Sequence, residues 1–172
     1  MKIPEKIINF TCYINGSNEL AGMVDLTLPK IEHMTETISG AGIAGEIESV
    51  TPGHTSAMTF SVNFRSLVDK NLSLIKPESY AFEVKGALQE TDSKTQKIEV
   101  KKLTIAVRGF PKSAELGKLA VSKPTDTNGE FTCEYLKVDI NGKTSVEIDK
   151  ANMVFMVDGK DYLAEVRAAL GK

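Results

Sequence analysis

Apolar and polar residues alternate with a period of two through most of this chain. In "IINFTCYIN", Ile8, Phe10, Cys12 and Ile14 fall on one face and Asn9, Thr11, Tyr13 and Asn15 on the other, which predicts a half-buried strand. Gly16 and Asn18 then read as turn residues, and Val24, Leu26 and Leu28 resume the phase up to Pro29, so the first two strands are expected to form a hairpin. "SAMTFSVNF" places Met58, Phe60, Val62 and Phe64 inward, with Thr59, Ser61 and Asn63 outward on a polar, uncharged face.

The period changes in "SLVDKNLSLIKP", where Leu67, Val68, Leu72 and Ile75 share a helical side, Ser66 and Asp69 resemble a capping box and Pro77 follows. Alternation returns through Tyr80, Phe82, Val84 and Leu88, and "QETDSKTQ" reads as a polar hairpin tip. In "KIEVKKLTIAVRGF" the apolar phase slips by one residue between Val100 and Leu103, for which a β-bulge at Lys101 and Lys102 is the simplest reading. After a loop containing "KPTDTNGE", "FTCEYLKVDI" and "TSVEID" flank Asn141-Gly142, a strong hairpin signal. Leu136, Val138, Ile140, Val146 and Ile148 make its apolar face; Lys137, Asp139, Glu147 and Asp149 make the other. The chain closes on a helix with Asp161 as its N-cap, Leu163, Val166 and Leu170 as an apolar stripe against the sheet, and Gly171 as its C-cap.

Residues 30–55 stand apart. They hold four glycines and Pro52 and no sustained period, so they read as a long irregular excursion of the functional kind. About seven strands and one or two short helices follow, without alternating strand–helix units. The fold class is mainly β, an antiparallel β-sandwich or barrel-like domain spanning residues 1–172.

Composition narrows the partners. With 172 residues and 41% hydrophobic content the chain suits one domain with a sizeable core. A net charge of -2 argues against a protein that grips nucleic acid by neutralising phosphates. The N-terminus has no apolar run of the signal-peptide kind and no stretch suits a membrane span, so a soluble chain made in a cytosol, without membrane insertion, is expected. Cys12 and Cys133 each sit in a strand-like run and read as buried, reduced thiols.

The segment "GAGIAGEI" at residues 40–47 matches the dinucleotide fingerprint G-x-G-x-x-G. That motif works where a buried strand delivers the turn to a helix N-terminus, but here "HMTETIS" precedes it and Pro52 forbids a long helix after it. No cofactor is expected; the glycines suit a tight turn or a close backbone approach. His33 and His54 with Cys12 or Cys133 match no zinc-ligand spacing, so no metal and no catalytic set is expected. The sequons at Asn15 and Asn71 read as chance matches, and Lys97, Lys101 and Lys102, with Glu99 among them, as the wet face of a strand.

The order of these features, and above all "EYLKVDINGKTSVEIDKANMVFMVDGKDYLAEVRAALGK", resembles the major tail tube proteins of contractile-tailed phages of the P2-like type. Tube subunits of R-type bacteriocins share the same features. The resemblance is carried by Tyr135, the Asn141-Gly142-Lys143 turn, "VEID" at 146–149, Asn152-Met153 and "DYLAEVRAALG" at 161–171; residues 50–96 match in pattern only. It implies a structural subunit that is not an enzyme and that forms hexameric rings, whose strands build one inner β-barrel, stacked into a hollow tube. The implied partners are other copies, the tail sheath, the baseplate and the tail terminator, in a virion assembled in the host cytoplasm. DNA would pass through the lumen without specific binding.

On this reading Gly40, Gly42, Ile43, Gly45, Met153 and Tyr162 are subunit-interface candidates. Thr59, Ser61, Asn63, Glu147 and Asp149 are lumen candidates, since neutral or acidic faces do not hold a polyanion. Residues 30–55 and 89–96 are expected to be mobile in the monomer and ordered in the ring. The alternative from another class is a soluble β-sandwich that presents the 30–55 loop to a ligand.

Overall fold

A computed structural model describes residues 1–16 and 23–172. In chain order its elements are β1 (Lys2–Ile14), β2 (Met23–Thr27), β3 (His33–Ile38), β4 (Ile47–Thr55), β5 (Met58–Phe64), α1 (Asp69–Ser73), β6 (Tyr80–Asp92), β7 (Ile98–Gly109), β8 (Pro111–Glu115), β9 (Thr127–Cys133), β10 (Tyr135–Ile140), β11 (Lys143–Asp149), β12 (Val154–Val157), β13 (Lys160–Asp161) and α2 (Ala164–Ala169). A seven-stranded sheet, β1-β6-β7-β10-β11-β12-β13, faces a four-stranded sheet, β2-β5-β9-β8, and β3 and β4 form a separate two-stranded arm. Every strand pair among the described residues is antiparallel.

The core forms where the apolar faces of the two sheets meet. Met58, Phe60, Val62 and Phe64 of β5 are all buried, as their alternation predicts. Phe60 stacks on Phe131 at 5.2 Å between ring centroids, and Phe82 meets Phe131 edge-on at 5.1 Å, so an aromatic cluster ties β5 and β9 to β6. Cys12 and Cys133 are free and buried in the same core, where burial raises their thiol pKa values to about 12 and about 11. The Asn141-Gly142 turn is present, with φ values of 55° and 83°, and joins β10 to β11.

Several expectations are overturned, each for a topological reason. β1 and β2 are not a hairpin: β1 pairs with β6 and β2 with β5, in different sheets. The turn residue Asn18 and the side chain of Val24 lie outside the described residues. The 30–55 segment is not irregular, because two paired strands occupy most of it. "FTCEYLKVDI" is two strands, since the chain leaves the four-stranded sheet after Cys133 and enters the seven-stranded one at Tyr135.

No bulge interrupts β7, whose register with β6 runs unbroken from Ile98 opposite Thr91 to Gly109 opposite Tyr80. The slip there records a change of face: Ile105 and Val107 point into the core, while Ile98 and Val100 lie on the opposite face, exposed. The bulges of this sheet extension belong to β1, at Pro4/Lys6 and Ile7/Asn9.

The helices are shorter and less amphipathic in use than their patterns suggest. α1 buries Asn71 and Leu74 and leaves Leu67, Val68, Leu72 and Ile75 exposed; its N-cap is Val68, without a side-chain bond from Ser66. α2 starts after Leu163, which is buried, while Val166 and Leu170 remain exposed. Asp161 lies two residues before the N-cap Leu163, accepting from the Leu163 amide at 3.0 Å and from Arg167 at 2.6 Å. Gly171, at φ 74°, ends the helix as expected.

Candidate functional site

The arm is the most unusual surface of the molecule. All six residues of β3 are exposed, and Met34, Ile38, Ile47 and Val50 show large apolar side chains to solvent. At about 3.3 Å per residue, β3 alone carries the chain roughly 20 Å. Ile38 pairs with Ile47, and the tip between them is closed by the Ile43 amide on the Gly40 carbonyl at 3.1 Å and the Gly45 amide on the Ile43 carbonyl at 3.2 Å. Gly42 and Gly45 sit at φ 89° and 110°, conformations that side chains resist, so the glycines serve the turn. The tip thus brings Gly40, Gly42, Ile43 and Gly45 together.

Met153 and Tyr162 lie apart from that tip, in the C-terminal unit that anchors the arm's base. A Cβ on Gly53 would stand 2.4 Å from Leu163 Cγ, and the His33 ring lies 5.5 Å from Phe155. Lys150 Nζ donates to the carbonyls of Ser56 at 2.6 Å and Thr55 at 3.4 Å. Tyr162 is 47% exposed and packs edge-on to Phe155, with Lys160 over its ring. Met153 is partly buried, and its carbonyl accepts from Arg167 at 2.6 Å.

Burial alone would raise the Asp161 carboxyl, but its hydrogen bonds from Arg167 and from the Leu163 and Phe155 amides outweigh that and hold it below the ordinary range. The arm's base therefore rests on an ionised hub. Gly53, Lys150 and Arg167 were not legible as functional positions; in the sequence Gly53 is one of four glycines in a segment without a sustained period.

The lumen candidates divide between the two outer faces of the sandwich. Thr59, Ser61 and Asn63 lie on the outer face of the four-stranded sheet. Glu147 and Asp149 lie on the outer face of the seven-stranded one, beside Tyr135, Lys137 and Arg108. One channel cannot be lined by both sets. Asp149 is also 9% exposed, and Asn152 donates to its carboxylate at 3.0 Å from the amide and 2.7 Å from the side chain. Burial favours the neutral acid there, yet these bonds keep Asp149 ionised below its usual range.

On the first face the rungs run Asp25, Asn63, Asn128, Glu115 and then Thr27, Ser61, Glu130, Ser113. The Lys112 ammonium, 3.0 Å from Glu130, holds that carboxyl below its ordinary value. Among the described residues no three His, Cys, Asp or Glu side chains gather as a metal site, and no helix is long and apolar enough to cross a membrane.

The family model of "Phage tail tube protein FII" matches residues 4–171. The chain belongs to that family. It is a phage tail tube protein, a structural component of the virion. The tail tube protein of Escherichia phage P2 is 24% identical over 99% of both chains, and the major tail tube protein of Serratia phage KSP20 is 24% identical over 99% of this chain and 98% of its own. The fold is also that of the sheath/tube terminator of an extracellular contractile injection system, at a TM-score of 0.53 and 9% identity, covering 79% of this tail tube protein and 96% of the terminator.

Proposed function

We propose that this tail tube protein forms stacked hexameric rings that make the inner tube of a contractile tail, with the four-stranded sheet inward. The observation that carries this is the composition of that sheet's outer face. Its rungs are built from Asp25, Thr27, Thr59, Ser61, Asn63, Ser113, Glu115, Asn128 and Glu130, with Lys112 paired to Glu130, so the face is polar and its carboxylates outnumber its one ammonium. Such a lining offers a passing polyanion hydration without attraction, and DNA can slide.

The seven-stranded sheet then faces outward, where Lys85, Arg108 and Lys137 stand among Glu83, Glu147 and Asp149 as a mixed surface suited to the sheath. On this reading Glu147 and Asp149 leave the lumen set. Ring closure also gives every free strand edge of the inner sheet a partner, which an isolated sandwich cannot do. The arm, with Gly40, Gly42, Ile43 and Gly45 at its tip and Met153 and Tyr162 near its root, reaches a neighbouring subunit; sheath, baseplate and terminator complete the partners. The role requires no catalytic group.

The test is electron microscopy of the concentrated protein beside sedimentation of the same sample. Rings or hollow tubes are expected; a monomer at every concentration, with residues 30–55 already protected from hydrogen exchange, would contradict the proposal and favour a ligand-binding sandwich. Ser61→Lys with Asn63→Lys in the intact particle should slow DNA passage, and unchanged ejection would remove these residues from the lumen.

A further inference from the structure

Among the described residues, the four strands β2, β5, β8 and β9 hold three acidic side chains, Asp25, Glu115 and Glu130, and a single basic one, Lys112. An ammonium on a surface along which a polyanion slides is the group that would hold it, because neutralising a phosphate releases counterions and adds affinity. The register puts Lys112 in that position. β8 shifts against β9 between Pro111 and Ser113, so Lys112 is the extra residue of a bulge, and its side chain is 53% exposed.

Glu130 occupies that ammonium. β9 lies between β5 and β8, with Glu130 opposite Ser61 on one side and Ser113 on the other. One oxygen of its carboxylate stands 3.0 Å from Lys112 Nζ, and the other accepts from the Ser113 hydroxyl at 3.3 Å. The Thr59 side chain bonds to it as well. The carboxylate is therefore fixed from β5 and from β8 at once, and the flexible lysine stem is drawn to it. Carboxylates elsewhere on the face do not give this protection, since at physiological salt an exposed charge acts over only about 8 Å.

We propose that Glu130 is a positioning residue for DNA passage: it masks Lys112, the one cation of these four strands, so that the tube wall offers a sliding phosphate no partner. This rests on the lumen reading above and names the contact on which easy sliding depends. A phosphate can reach Lys112 only by displacing a carboxylate that three neighbouring side chains hold in place.

Glu130→Gln keeps the size of the side chain and removes its charge. In the intact particle it should slow DNA ejection several-fold, most at low salt, and adding Lys112→Gln to it should return the unaltered rate. Ejection at the unaltered rate in Glu130→Gln, or a double variant as slow as the single one, would overturn the masking. The free chain gives a second readout that needs no assembly. There Glu130→Gln should bind a fluorescent DNA duplex more tightly than the unaltered chain does, by a margin that falls about threefold between about 50 and about 200 mM salt, as for one phosphate contact. Equal binding by the two chains would overturn the masking as well. The lumen reading is tested separately by Ser61→Lys with Asn63→Lys: if these slow ejection and Glu130→Gln does not, the masking alone is wrong.

Discussion

β5 and the β3–β4 arm are both short, alternating antiparallel segments, yet they stand at opposite ends of the burial scale. In β5 every second residue is a large apolar side chain within the core, and the strand is held on both sides, by β2 and β9. The arm pairs only with itself and exposes Met34, Ile38, Ile47 and Val50. A two-stranded ribbon is marginal alone in water, because its few hydrogen bonds scarcely offset the entropy of ordering it. The core is therefore stable within one chain, whereas on the proposed ring reading the arm's apolar side chains find their burial in the assembly.

The largest effect is expected at the core. Phe60→Ala removes the ring that stacks on Phe131, and chemical denaturation should register a loss of about 3–5 kcal/mol. A loss under about 1 kcal/mol would mean that the two sheets are not locked by this cluster. Next comes the arm's root: Gly53→Ala puts a Cβ 2.4 Å from Leu163 at φ 72°, so roughly 1–3 kcal/mol is expected, with proteolysis opening first at the arm.

An effect of similar size separates root from core by pH. The Asp161 carboxyl lies below its unfolded value of 3.8, so its contribution is complete above that value and is lost as pH falls through the folded value. Thermal unfolding below about pH 4 should therefore fall less steeply in Asp161→Asn, which at neutral pH is about 1–3 kcal/mol less stable. Ile38→Ser and Ile47→Ser should move monomer stability by no more than about 0.5 kcal/mol, while abolishing tubes in the microscope.

Strand chemistry was legible where burial is local to one element. β5, the Asn141-Gly142 hairpin and the Gly171 helix end follow directly from alternation, turn residues and a left-handed glycine. Topology was less legible, because periodicity says which face is apolar and not which strand lies beside it. The phase change between Cys133 and Leu136 marked the passage from one sheet to the other, yet it reads equally as one continuous strand. The phase change in β7 marked a face exposed beyond the core and mimicked a bulge.

The arm escaped for a related reason. Burial within the chain imposes no pattern on β3 and β4, so no period was there to read, and only the glycines at 40, 42 and 45 signalled the tip. The candidate site was accordingly half visible. Thr59, Ser61 and Asn63 announced a polar face, but that Glu147 and Asp149 belong to the opposite face depends on which sheet each strand enters.

On the ring reading the arm acquires its burial from other copies, while the core has its own. Hydrogen exchange on the free chain and on assembled tubes tests this in one comparison. Amides of residues 33–55 should exchange quickly in the monomer and slow sharply in the tube, with β5 and β9 protected alike in both. Arm amides equally protected in the free chain, or still unprotected in the tube, would contradict it.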